Sequence, residues 1–165
     1  MDESTLSLLP PLRACWMKRG QQKQVQVPDK RAHCHLFGAY NWWHDTVATQ
    51  LADKLNTESF IAFLEYLLLV VYPTQLVVLV LDNASFHKSD AALAALSLFE
   101  DRLLLLWLPP RSPKLNLIER FWRHLKDQVC ADSLWPSLAV LKLAIERFLH
   151  LQNSADFHLR FHMYK

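Results

Sequence analysis

Glycine is almost missing from this chain, with 2 residues in 165 against a usual share of about 7%. A P-loop or a dinucleotide fingerprint, in which glycine-rich backbone cradles phosphate, therefore has almost no raw material here. Cysteine is scarce as well. Cys15, Cys34 and Cys130 are odd in number, far apart and without a C-x-x-C pair, which argues against a disulfide framework and a cysteine zinc site and fits a reducing, cytoplasmic setting. Apolar runs are short: residues 66–72 and 76–81 are separated by Pro73 and Thr74, far below the roughly 18 residues of a membrane span. Asp2 and Glu3 follow Met1 directly, so no basic segment leads an apolar one and no signal peptide is expected. A large excess of one charge is also lacking. The net charge is +2 from 18 basic and 16 acidic residues, which excludes a disordered acidic or basic tail.

What is present is a hydrophobic fraction of 52%, enough for one folded domain around one core over residues 1–165. Residues 5–31 are punctuated by Pro10, Pro11, Gly20 and Pro28, with alternating pieces such as Gln24-Val25-Gln26-Val27; this is antiparallel strand and turn chemistry. Residues 33–40 predict a further strand, followed by a polar stretch ending near Asn56 and Thr57. Thr57 or Ser59 is placed to cap a densely apolar helix over 60–67, which Pro73 ends and which should lie against a sheet. The β-branched run 75–82 predicts a strand buried on both faces. A helix over 87–102, a second buried strand over 103–108 and a stop at Pro109-Pro110 follow, and then helices over 116–130 and 138–151. Antiparallel strands first and alternating strands and helices afterwards imply an α/β fold, a mixed sheet with helices on its faces.

Two carboxylates stand where such folds place chemistry. Asp82 closes the most apolar strand, at the end where open α/β sheets bind ligands; it either faces that cleft or merely caps the following turn. The loop after the second buried strand delivers Asn116 and Glu119 on the first turns of a helix. Glu119 is thus within reach of a divalent cation shared with Asp82, or else pairs with Arg123 one turn on. Arg111, Lys114, Arg120, Arg123 and Lys126 concentrate positive charge around this helix, as a DNA-backbone track or as an ordinary solvated face. Trp122 reads as core. In His33-Cys34-His35, strand alternation turns both histidines away from Cys34, and no further ligands stand at zinc spacing.

The combined text decides between these readings. Asp82-Asn83-Ala84-Ser85-Phe86-His87 has the form D-N-x-x-x-H, and residues 109–122 have the form P-x-x-S-P-x-L-N-x-I-E-x-x-W, with Glu119 lying 37 residues after Asp82. Asp2-Glu3-Ser4 follows Met1 directly, with Trp16 and Gly20 beyond it. Together they resemble the DDE-type transposases of bacterial insertion sequences related to the mariner superfamily, from Asp2 to about Lys126.

That resemblance implies a ribonuclease-H-like fold with a mixed five-stranded sheet and helices on both faces. It makes Asp2, Asp82 and Glu119 the catalytic, metal-binding triad for Mg²⁺ or Mn²⁺, as two ions, because three neighbouring carboxylates repel unless cations sit between them. The implied activity is cleavage of DNA at transposon ends and strand transfer into target DNA. Asn83, His87 and Asn116 are candidates to support the triad, Asn83 and His87 by orienting Asp82 or a phosphate, with a cap or surface role as the alternative for His87. The implied partners are DNA and a second copy of the chain. The family's N-terminal helix-turn-helix region is not in this sequence, so an upstream DNA-binding protein or a full-length transposase joins the expected partners, and a binding-only remnant is the other reading. The resemblance puts Asp2 on a central strand whose leading half is not in this sequence, which predicts a fraying end at Asp2. The expected location is the bacterial cytoplasm, at the nucleoid, with no membrane.

Overall fold

The computed structural model describes residues 1–9, 18–20, 32–110, 112–131 and 134–153. Its first three strands are Asp2–Ser7 (β1), His33–Asn41 (β2) and Thr46–Ala52 (β3). They form an antiparallel meander, with Asp2 opposite Gly38 and Gly38 opposite Thr49. Val77–Leu81 (β4) and Leu103–Trp107 (β5) pair in parallel. The strands fall in a three-stranded sheet, β1-β2-β3, and a two-stranded one, β4-β5; the Met1 ammonium donates to the Val80 carbonyl at 2.8 Å, so β1 and β4 meet edge to edge and the order across the molecule is β3-β2-β1-β4-β5. This end of β1 is not frayed: Met1 and Asp2 are both buried, because the Met1 side chain enters the core beside Phe37 and Leu81.

Two cores lie on the two faces of the sheet. Thr57–Glu65 (α1) and Asp90–Ser97 (α2) cover one face, packing Phe60, Phe63, Leu64, Ala92 and Leu96 against Phe37, Leu79 and Leu81. Ile118–Val129 (α3) and Leu138–Gln152 (α4) cover the other, with Ile118, Phe121, Trp122, Leu125, Leu141 and Ile145 against Leu6, Cys34 and Leu36. Trp122 is core, as its place on the apolar stripe requires. Its ring lies so close to β2 that a Cβ on Gly38 would stand 2.6 Å from Cη2; a residue without a side chain is needed there to seat α3 on the sheet.

Several local expectations give way. The strand β3 was not foreseen, since the polar residues of Thr46-Val47-Ala48-Thr49-Gln50 leave Val47 as its one fully buried position; pairing to β2 supplies what the pattern does not. Asn56, not Thr57 or Ser59, caps α1, its side chain accepting from the Ser59 amide at 3.0 Å. The helix then widens into a π-helical turn over Tyr66–Val71. Residues 85–88 form a 3₁₀ turn, and the helix proper starts after Ser89, whose hydroxyl caps it. The parallel strands are not buried on both faces either: Val78 is 57% and Leu104 60% exposed, because α3 and α4 pack over β1 to β3 and reach no further. The alternating piece 24–27 and Trp16 lie outside the described residues. Among the described residues no helix is long and apolar enough to cross a membrane.

Candidate active site

Asp82 is the first residue beyond β4. Its Oδ1 accepts the Ala84 amide at 3.0 Å, so it does cap the turn, and its side chain, 43% exposed, also lines a cleft of about 340 Å³. The two roles that the sequence left as alternatives are held together by one carboxylate. Asn83 ties the neighbouring strand ends: its Nδ2 donates to the Leu108 carbonyl and its Oδ1 accepts from Lys88 Nζ. With the Leu108 amide donating to the Leu81 carbonyl at 2.8 Å, the segment Leu108-Pro109-Pro110 is kept alongside Asp82 as a second wall of the cleft.

The third wall comes from the start of α3. A 3₁₀ turn over Pro113–Leu115 leads into it. Asn116 is buried and donates from Nδ2 to the Met1 carbonyl at 3.3 Å, which stitches the approach of α3 to the strand that carries Asp2. Glu119 lies in the first turn of α3, exposed and facing the same cleft, while Ile118, Phe121, Trp122 and Leu125 anchor the helix from the opposite side. Asp2 completes the lining. Three acids far apart in sequence thus share one cavity.

Their electrostatics follow from that crowding. Burial pushes the Asp2 carboxyl up from 3.8 to about 7, and the negative charges of Glu3, Glu119 and Asp82 push the same way; only a hydrogen bond from the Glu3 backbone amide opposes them. Hard carboxylate oxygens in mutual repulsion suit a divalent cation such as Mg²⁺ or Mn²⁺. Among the described residues, however, no group of three or more His, Cys, Asp or Glu stands as a preformed metal-ligand cluster. The acids line the cleft without closing into a cage.

One residue of the site escaped the sequence reading. Glu3 lies on the other face of β1 from Asp2, and its Oε1 is 2.9 Å from His87 Nε2. His87 is fully buried, between Phe60 and Phe86 with ring centroids 4.5 Å from its own. Its Nδ1 stands 3.0 Å from Asp82 Oδ1, off the line of a well-aligned hydrogen bond. The only signal for Glu3 was its place beside Asp2. Among the basic residues, Lys114, Arg120 and Arg123 are exposed and Lys126 is partly covered, along the loop and helix that carry Glu119; Arg111 lies outside the described residues. Lys88 lies over the Trp107 ring, 5.0 Å from its centroid. His33 is exposed and His35 hydrogen-bonds Thr5, while Cys34 is buried on the opposite face.

Comparison with known proteins bears on the family and the fold. The sequence model of the DDE superfamily endonucleases matches residues 1–142. The chain is 27% identical over 148 residues to the insertion element IS630 uncharacterized 39 kDa protein of Shigella sonnei, a span covering 90% of this chain and 43% of that protein. It is 38% identical over 58 residues to the uncharacterized protein y4pE/y4sA of Sinorhizobium fredii (strain NBRC 101917 / NGR234), covering 35% of this chain and 39% of that one. The fold superposes on the Mos1 transposase paired-end complex with left transposon end at a TM-score of 0.72, with 17% identity, over 90% of this chain and 46% of that one. The Mos1 mariner paired end complex with Mn gives 0.66, with 17% identity over the same shares. The α/β, ribonuclease-H-like arrangement is therefore the one expected. The chain spans less than half the length of these relatives.

Proposed function

The chain belongs to the DDE superfamily of endonucleases, and from that premise we propose that it carries the catalytic centre of an insertion-sequence transposase, cutting DNA at transposon ends and joining it to target DNA. The observation that carries this reading is the cleft of about 340 Å³ shared by Asp2, Asp82 and Glu119, in which the other acids help to push Asp2 to about 7. Asp2, Asp82 and Glu119 are the residues that would hold Mg²⁺ or Mn²⁺, as two ions. When bound, such ions activate an attacking oxygen and stabilise the leaving one in an in-line phosphodiester displacement. The chain's own residues do the rest. Asn116 holds the start of α3 against β1, Asn83 holds the Pro109-Pro110 wall beside Asp82, and His87 orients Asp82. Lys114, Arg120, Arg123 and Lys126, with Arg111, attract the DNA backbone along the helix that carries Glu119. DNA is thus the principal partner, at the bacterial nucleoid, together with a second copy of the chain; recognition of the ends falls to a helix-turn-helix segment, from an upstream protein or a full-length transposase.

The test is nicking of duplex DNA. Cleavage should require Mg²⁺ or Mn²⁺ and vanish in Asp82→Ala and in Glu119→Ala. A parent protein that binds DNA but shows no metal-dependent nicking would replace the enzyme reading with a binding-only one.

A further inference from the structure

We infer that Glu3 is a positioning residue of this site: it fixes the His87 ring, and through that ring the Asp82 carboxylate. The inference rests on the reading of Asp82 as a metal ligand. Side chains alternate along a strand, so Asp2 and its neighbour Glu3 leave β1 on opposite faces. Asp2 enters the cleft directly. Glu3 points into the α1 and α2 side of the sheet, where its side chain is only 9% exposed and meets His87 Nε2 at 2.9 Å. The ring is fully buried and touches both Phe60 and Phe86, and the 3₁₀ turn carrying it is closed by the His87 amide on the Ala84 carbonyl at 3.1 Å. Held this way, Nδ1 stands 3.0 Å from Asp82 Oδ1, the same oxygen that accepts the Ala84 amide. Asp82 is thus capped by its own turn, and the ring tied to Glu3 stands against the same oxygen without a well-aligned hydrogen bond, although the Asp82 side chain is 43% exposed.

A stability role alone explains this arrangement poorly. A glutamate and a histidine buried among phenylalanines cost desolvation, and a well-packed apolar pair in their place is often neutral or better. What an apolar pair cannot do is present a ring nitrogen to Asp82. Groups that orient a metal ligand commonly change metal affinity about 10- to 100-fold when removed.

Mn²⁺ itself is the probe, titrated into the protein and followed by the paramagnetic resonance signal of the free ion, with thermal unfolding recorded for each variant. Asp82→Ala should abolish the tight site. Glu3→Ala should weaken it about 10- to 100-fold, and Glu3→Gln, which keeps an oxygen to accept from Nε2, should recover most of the loss. In the His87→Asn background, adding Glu3→Ala should cost nothing further, because the link is already cut. Unchanged Mn²⁺ affinity in Glu3→Ala alongside a lowered melting temperature would make Glu3 merely structural and overturn the inference, as would full additivity in the double variant. Should Glu3→Ala fail to fold, Glu3→Asp decides: its charge is kept but its reach is shortened, so weaker Mn²⁺ binding is expected and unchanged binding overturns the inference. If Asp82→Ala leaves Mn²⁺ binding of the parent intact, the metal-site reading falls first, and this inference with it.

Discussion

Asp2→Asn removes one negative charge from the acid cluster while nearly keeping the shape of the side chain, and its effect on stability has a definite sign. In the folded protein Asp2 holds its proton up to about pH 7; in the unfolded chain it gives it up near 3.8. Between those values the folded state binds more protons than the unfolded state, so stability falls as pH rises, and the whole penalty is in place above pH 7. A rise of about 3 units at roughly 1.4 kcal/mol each sets an upper bound of about 4 kcal/mol. For a chain of this size each kcal/mol moves the melting temperature by roughly 2–4 °C. Thermal unfolding in EDTA, run on both proteins at pH 4 and pH 8, isolates the contribution. The two should melt alike at pH 4. At pH 8 the asparagine variant should be the more stable, by at most about 8–16 °C, and added Mn²⁺ should stabilise the parent and narrow the gap. If Asp2→Asn is no more stable than the parent at pH 8, Asp2 is not the crowded, buried acid described above.

Two further outcomes follow from packing and charge. Gly38→Ala puts a methyl group 2.6 Å from the Trp122 ring and 3.0 Å from Ile118; it should destabilise the fold by about 1–3 kcal/mol, read by urea unfolding, and a neutral result would mean that α3 yields freely. Lys114→Ala, Arg123→Ala and Lys126→Ala should each weaken DNA binding with little dependence on sequence and reduce the slope of log affinity against log salt by about 1. An unchanged slope would return those residues to the ordinary solvated face.

How much of this was legible depends on what kind of interaction fixes each part. The helix α4 was read almost to the residue, and α3 with it, because their apolar spacing is set by burying one stripe on a sheet. The strand β5 was found from its continuous Leu run, but the same run misled about burial. Apolar composition records what a strand can tolerate, whereas covering a face depends on how far a helix from elsewhere extends, as Val78 and Leu104 show. The strand β3 was missed because its partner β2, not its own pattern, makes it a strand. In the cleft, Asp82 and Glu119 were visible since each follows a recognisable strand end and sits in a dense motif. His87 was singled out, yet as the start of a helix, which it is not. Glu3 was invisible in its role: contact between residues 3 and 87 is made by tertiary folding alone.

That contact says something about how the cleft is supported. The site lies at the seam where β1 meets β4, joined by the Met1–Val80 hydrogen bond, and each of its acids draws on a different part of the packing. Glu119 is held by α3, hence by Trp122 against Gly38 on one side of the sheet. Asp82 is held by its own turn through the Ala84 amide and lies against His87, which contacts Phe60 and Phe86 on the other side. Asp2 and Glu3, consecutive on one strand, reach into both sides because alternation forces them apart. A displacement in either core therefore moves one wall of the cleft relative to the other, and repulsion among the acids adds to that sensitivity, since it favours any motion that separates them. The Ala84 amide at the turn after β4 and the buried Asn116 amide at the approach to α3 counter that tendency.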